Sequence, residues 1–61
     1  MGTDDYEAVI ALVEETEDTI GQVPELVATN KLRTALAWLK RSRKHLRTAA
    51  DIIENNLKDS N

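Results

Sequence analysis

"KLRTALAWLKRSRKHLRTAADIIENNL", residues 31–57, is the stretch on which the fold turns. Leu32, Ala35, Leu39, Ser42, Leu46, Ala49 and Ile53 follow one another at alternating steps of three and four, the spacing that aligns side chains on one face of an α-helix. Leu36, Ala50 and Leu57 flank that line on one side, and Trp38, His45 and Ile52 on the other. The apolar face is therefore wide. Large residues at 32, 39, 46 and 53 alternate with small ones at 35, 42 and 49, which suits the close approach of a neighbouring helix. No Gly or Pro interrupts the stretch, so a single helix over about 31–57 is expected.

A shorter amphipathic helix precedes it. Tyr6, Val9, Val13, Thr16, Ile20 and Val23 repeat at the same steps, widened by Ile10 and Leu12. Asp4 and Glu7 have capping-box-like spacing, which places the start near Asp4 or Asp5. Gly21 weakens the last turn. Pro24 lacks an amide donor and biases Val23 away from helical geometry, so the end falls at about Gln22. In "VPELVATN", residues 23–30, Pro24 and Glu25 can open one short helical turn. Leu26 and Val27 would cover the end of the core, and Thr29 or Asn30 would cap the second helix. "KDSN", residues 58–61, should fray. The fold class expected is all-α: one domain, residues 1–61, an antiparallel helical hairpin of about 5–22 and 31–57.

Size argues for assembly. The chain has 61 residues and no cysteine. A chain this short buries only ~60% of its unfolded surface, and small domains usually add a disulfide, a metal or a partner subunit. Disulfides and thiolate metal sites are excluded, and one His makes a structural zinc site improbable. The two helices also differ in length, ~27 Å against ~40 Å at 1.5 Å per residue. With the turn near residue 26, Ile52, Ile53 and Leu57 overhang the first helix and call for a second subunit. A homo-oligomeric bundle is expected, with a dimer as the default. Leu32, Ala35, Leu36, Trp38, Leu39, Leu46, Ala49, Ile52, Ile53 and Leu57 are its candidate interface residues.

Charge is segregated. Residues 1–25 carry eight acids and no base, residues 26–50 carry seven bases and no acid, and the net charge is −3. A hairpin brings the two blocks together. Asp4, Asp5 and Glu7 would meet Arg43 and Arg47, while Glu14, Glu17 and Asp18 would meet Arg33 and Lys40. Such surface pairs contribute ~0–1 kcal/mol each, but they select an antiparallel arrangement over a parallel one. Part of the basic run is left over. Arg33, Lys40 and Arg47 recur every seven residues, with Arg41 and Lys44 beside them. These five form a candidate site for a phosphate-bearing ligand. Glu14, Glu15, Glu17 and Asp18 form a candidate acidic face for a protein partner.

Other chemistry finds little footing. Net acidity disfavours binding to long duplex DNA. Glu14 with Glu17 and Asp51 with Glu54 put carboxylate pairs on helix faces, as all-α Mg²⁺-dependent nucleotide pyrophosphatases do. The second pair has Asp before Glu, and the pairs lie far apart, so no catalytic residue, metal site or cofactor is assigned. His45 borders the interface rather than standing in a ligand or nucleophile pattern, and Trp38 reads as an anchor beside Leu39 and Leu46. No apolar run approaches the ~20 residues of a membrane span. The acidic N-terminus has neither a signal-peptide nor a myristoylation pattern, which suggests a cytoplasmic protein without membrane contact.

Two resemblances bear on function. The shape resembles the plasmid copy-number RNA-binding hairpin Rop, which dimerises into a four-helix bundle. "ALAWLKRSRKH", residues 35–45, is similar to the second helix of the phage anti-CBASS sponges. Those are small helical oligomers that sequester cyclic oligonucleotides of bacterial immunity. Ala35, Leu36, Leu39 and Arg43 match the Ala, Leu, Leu and basic residue of that helix, Ser42 stands where it tends to have Ala, and Arg41 and His45 depart from it. The resemblance implies an anionic nucleotide ligand, or by the Rop analogy RNA, on the basic face. The residues themselves point first to a non-enzymatic regulator or inhibitor of a larger protein.

Overall fold

The computed structural model describes residues 2–59. Over these residues the chain forms three helices, α1 (Thr3–Gly21), α2 (Val23–Ala28) and α3 (Leu32–Asp59), and no strand. Both α1 and α2 lie against α3. The result is a helical hairpin measuring 47 × 16 × 11 Å, one helix layer deep.

Pro24 explains the break between α1 and α2. It sits in the first turn of α2, where its missing N–H leaves the carbonyl of Ile20 without the usual partner four residues on. Only Gln22 separates the two helices, and its backbone is itself near-helical (φ −87°, ψ −17°). The path therefore jogs without turning back. The reversal comes at residues 29–31. Asn30 is left-handed (φ 60°), its N–H donates to Val27 O (3.0 Å), and the N–H of Lys31 donates to Leu26 O (2.8 Å). This pair of bonds is a Schellman cap. The Thr29 hydroxyl donates to Glu25 O at 2.9 Å. Thr29 and Asn30 thus finish α2 and do not cap the following helix.

Asn tolerates the left-handed region better than other residues with a side chain, and Gly better still. Asn30→Val should cost about 1–2 kcal/mol in urea unfolding. Asn30→Gly should leave stability within about 0.5 kcal/mol of the parent. Equal stability for the two variants would disprove the left-handed turn.

The later reversal also changes the register. Asn56 Nδ2 donates to Asp5 Oδ2 at 3.0 Å, so the end of α3 lies beside the start of α1. At 1.5 Å per residue, α1 and α2 together span ~38 Å against ~42 Å for α3. No third of α3 overhangs, because α2 supplies the length that a turn near residue 26 would have removed. Two smaller expectations also change. The helix starts at Thr3 with Gly2 as N-cap and no side-chain cap. Asp4 and Asp5 therefore act from the first turn, where their charge favours the helix dipole, and Asp4 with Glu7 is not a capping box. Helix α3 continues through Lys58 and Asp59, leaving only residues 60–61 of the expected frayed tail, and these lie outside the described residues.

The seam between the helices is made of small side chains. The buried residues are Thr16 and Thr19 on α1 and Ala35, Ser42 and Ala49 on α3. Trp38, His45, Ile52 and Asn56 are half-buried between the small positions of α3, as are Val9, Leu12, Val13, Val23 and Leu26 along α1 and α2. Each buried hydroxyl is satisfied within its own helix. Thr16 Oγ1 donates to Leu12 O (2.7 Å), Thr19 Oγ1 to Glu15 O (2.9 Å) and Ser42 Oγ to Trp38 O (2.9 Å). That local bonding offsets much of the cost of burying polar side chains in a seam.

Candidate functional site

On a right-handed helix, the residue after a seam position points to one side of the seam and the residue before it to the other. In an antiparallel pair, the "after" residues of both helices share one face. The "before" residues share the opposite face, and the single cross-helix ion pair among the described residues confirms this. Glu15 precedes Thr16 and Arg41 precedes Ser42, and Arg41 Nη2 donates to Glu15 Oε1 at 3.3 Å.

The "after" face is mainly apolar, apart from Glu17 and Arg43, which follow Thr16 and Ser42. On α3 it carries Leu36, Leu39, Leu46, Ile53 and Leu57, which follow Ala35, Trp38, His45, Ile52 and Asn56, and Leu32 continues the line. On α1 it carries Tyr6, Ile10 and Ile20, which follow Asp5, Val9 and Thr19. Val27 follows Leu26 on α2. All ten are exposed, from 40% at Ile10 and Ile53 to 61% at Leu57. These ten side chains make a largely apolar face running the length of the hairpin.

The structure thus divides the wide face of α3. Ala35, Trp38, Ala49 and Ile52 turn toward the chain's own α1, whereas Leu32, Leu36, Leu39, Leu46, Ile53 and Leu57 lie open. Ile53 and Leu57 are open because of the face they occupy, not because α3 overhangs. Tyr6, Ile10 and Ile20 belong with them. The period of α1 placed them on an apolar stripe, but sequence spacing alone did not show that this stripe continues that of α3.

The basic residues also separate into groups. Arg41 is held on the back face, by Glu15 and by the Trp38 ring, whose centroid lies 5.8 Å from its guanidinium carbon. Arg33 joins Thr34, Ala37, Trp38 and Arg41 around a shallow groove of about 360 Å³. Lys40, Arg43, Lys44 and Arg47 line a second open groove of about 500 Å³. None of the expected pairings of Arg33, Lys40, Arg43 or Arg47 with α1 carboxylates forms among the described residues. For Asp4 and Asp5 the register explains why: Asp5 lies beside Asn56, about two and a half turns of α3 from Arg47 and farther still from Arg43. Arg41 and Arg43 exchange their expected roles: Arg41 is engaged, and Arg43 belongs to the open basic cluster. The acidic set divides likewise. Glu15 and Asp18 precede seam positions and face the back, Glu17 follows Thr16 and borders the apolar face, and Glu14 lies on the outer edge of α1.

Glu14, Glu17, Asp51 and Glu54 are not gathered into one site. Among the described residues, no group of three or more His, Asp or Glu is placed to hold a metal ion. No described helix is long and apolar enough to cross a membrane. His45 is half-buried in the seam, and its Nδ1 is shielded from solvent without a hydrogen-bond partner. His45→Leu removes that unsatisfied atom and should raise unfolding stability by about 1 kcal/mol. A loss of stability in the denaturation curve would overturn that expectation. Compared with protein families, curated proteins and solved structures, the chain matches none.

Proposed function

We propose that this protein is a non-enzymatic binding module that self-associates into a helical bundle and acts as a small regulator or inhibitor of a larger protein. The largely apolar face of α1, α2 and α3 carries this reading. A hairpin 11 Å deep has no further layer with which to cover that face. Covering the remaining exposed half of each large side chain is worth about 1 kcal/mol, before the cost of association. A bundle closed over the apolar face leaves the back face for the larger partner, with Glu15, Asp18, Arg41 and the Trp38 groove on it. Light scattering after gel filtration tests self-association, and a strict monomer up to about 100 μM would overturn it. A regulated partner should be retained by the parent protein and lost with Glu15→Lys plus Asp18→Lys, at unchanged oligomer mass.

One observation favours a second reading. Lys40, Arg43, Lys44 and Arg47 line one groove with no acid among them, which suits a phosphate-bearing ligand such as a cyclic oligonucleotide or RNA. A thermal-shift panel of cyclic and linear nucleotides separates the readings. A shift abolished by Lys40→Glu with Lys44→Glu supports the anion site. No shift across the panel removes it.

A further inference from the structure

We propose that the occupant of the apolar face is a second copy of this chain, docked about a two-fold axis that runs along the helices. Each α1 then lies over α3 of the partner. The inference rests on the self-association reading above and specifies its arrangement.

A face-to-face pair of two-helix layers has two simple symmetric solutions. An axis along the helices stacks α1 on the partner's α3. An axis across the helices, within the interface, stacks α1 on α1 and α3 on α3. Apolar burial alone does not choose, since the same face is covered either way. The charged edges choose. Glu17 follows Thr16 and borders the apolar face on the α1 side, with Glu14 next outward. Arg43 follows Ser42 and borders it on the α3 side, with Arg47 next outward. Stacking across the helices brings acidic edge to acidic edge and basic to basic, which like-charge repulsion disfavours. Stacking along them joins acidic to basic twice over.

The register agrees. With Asp5 beside Asn56, Glu17 falls about level with Arg43, and Glu14 with Arg47. An axis along the helices preserves these levels, so Glu17 meets Arg43 of the partner subunit and Glu14 meets Arg47 of the partner subunit. Within one chain neither pair forms, since the cross-helix ion pair lies on the opposite face. The segregation of charge along the sequence thus acts between copies.

The test uses the whole chain and two single variants, Glu17→Arg and Arg43→Glu, both at exposed positions. Each reverses two intersubunit pairs per dimer and should raise the dissociation constant about tenfold at low salt. That difference should shrink in 1 M NaCl. Mixing the two variants should restore parental affinity, because a mixed dimer recovers both pairs; native mass spectrometry would show that heterodimer. A dimer indifferent to either single variant overturns the arrangement while leaving self-association standing, and so does a mixture that fails to recover. A parent chain that stays monomeric throughout overturns both.

Discussion

Leu39→Asp combined with Leu46→Asp should convert the proposed dimer to monomers. Both side chains already stand about half in water in the single hairpin, at 46% and 47% exposed. The hairpin therefore has little direct reason to reject the change. The interface has every reason. Each dimer would lose four leucines from its centre and would have to strip water from four carboxylates. At about 1 kcal/mol per half-buried leucine, the dissociation constant should rise about a thousandfold before any desolvation penalty. The variant should also melt earlier, because five small buried residues are a thin core for a free-standing domain. In the parent protein the melting temperature should climb with concentration, as mass action requires of a stabilising partner. In the variant it should not. If the parent melts at one temperature from about 5 to 500 μM, the apolar face is not closed by self-association.

Much of this architecture was legible in the sequence. The unbroken three-four repeat from Leu32 to Ile53 carried α3 to within a residue or two of its ends, and Pro24 located the break after α1. The turn was harder to place. Asn30 and Thr29 have the composition of an N-cap, and the same residues serve a C-cap when the backbone at Asn30 becomes left-handed. Short α2 tips that choice, and with it the register of every cross-helix pair. One shift of a few residues undid the expected pairing of Arg43 and the overhang together. The candidate surface was half legible for a different reason. A helix apolar over a wide arc calls for more cover than one neighbour gives, but does not say which flank goes to which. The small residues at 35, 42 and 49 decide it, because α1 approaches closest where nothing stands in the way. The acidic and basic sets were visible as composition. Their division between front edge and back face appeared only once the seam was known.

Ser42→Leu should damage the hairpin itself, and more than any surface change. Ser42 is 3% exposed, between Ala35 and Ala49 in the line that α1 approaches. A leucine there must fit into a seam that already leaves Ser42 almost no exposed surface. The helices would have to part, uncovering the half-buried Leu12, Val13 and Ile52. Overpacking of this kind costs about 1–3 kcal/mol, a large share of the ~3–5 kcal/mol that so small a core supplies. The hydroxyl is not what matters. It donates only to Trp38 O of its own helix, so Ser42→Ala should keep stability within about 0.5 kcal/mol of the parent. Thr48 offers the matched control. It makes the same kind of bond, to Lys44 O at 3.1 Å, but it is exposed. Thr48→Leu should be nearly silent, within about 0.5 kcal/mol. Urea unfolding followed by circular dichroism ranks the three. If Ser42→Leu is no worse than Thr48→Leu, α1 and α3 do not approach as closely as their small residues allow. Both the division of α3 into a closed seam and an open stripe, and the dimer built on that stripe, would then lose their basis.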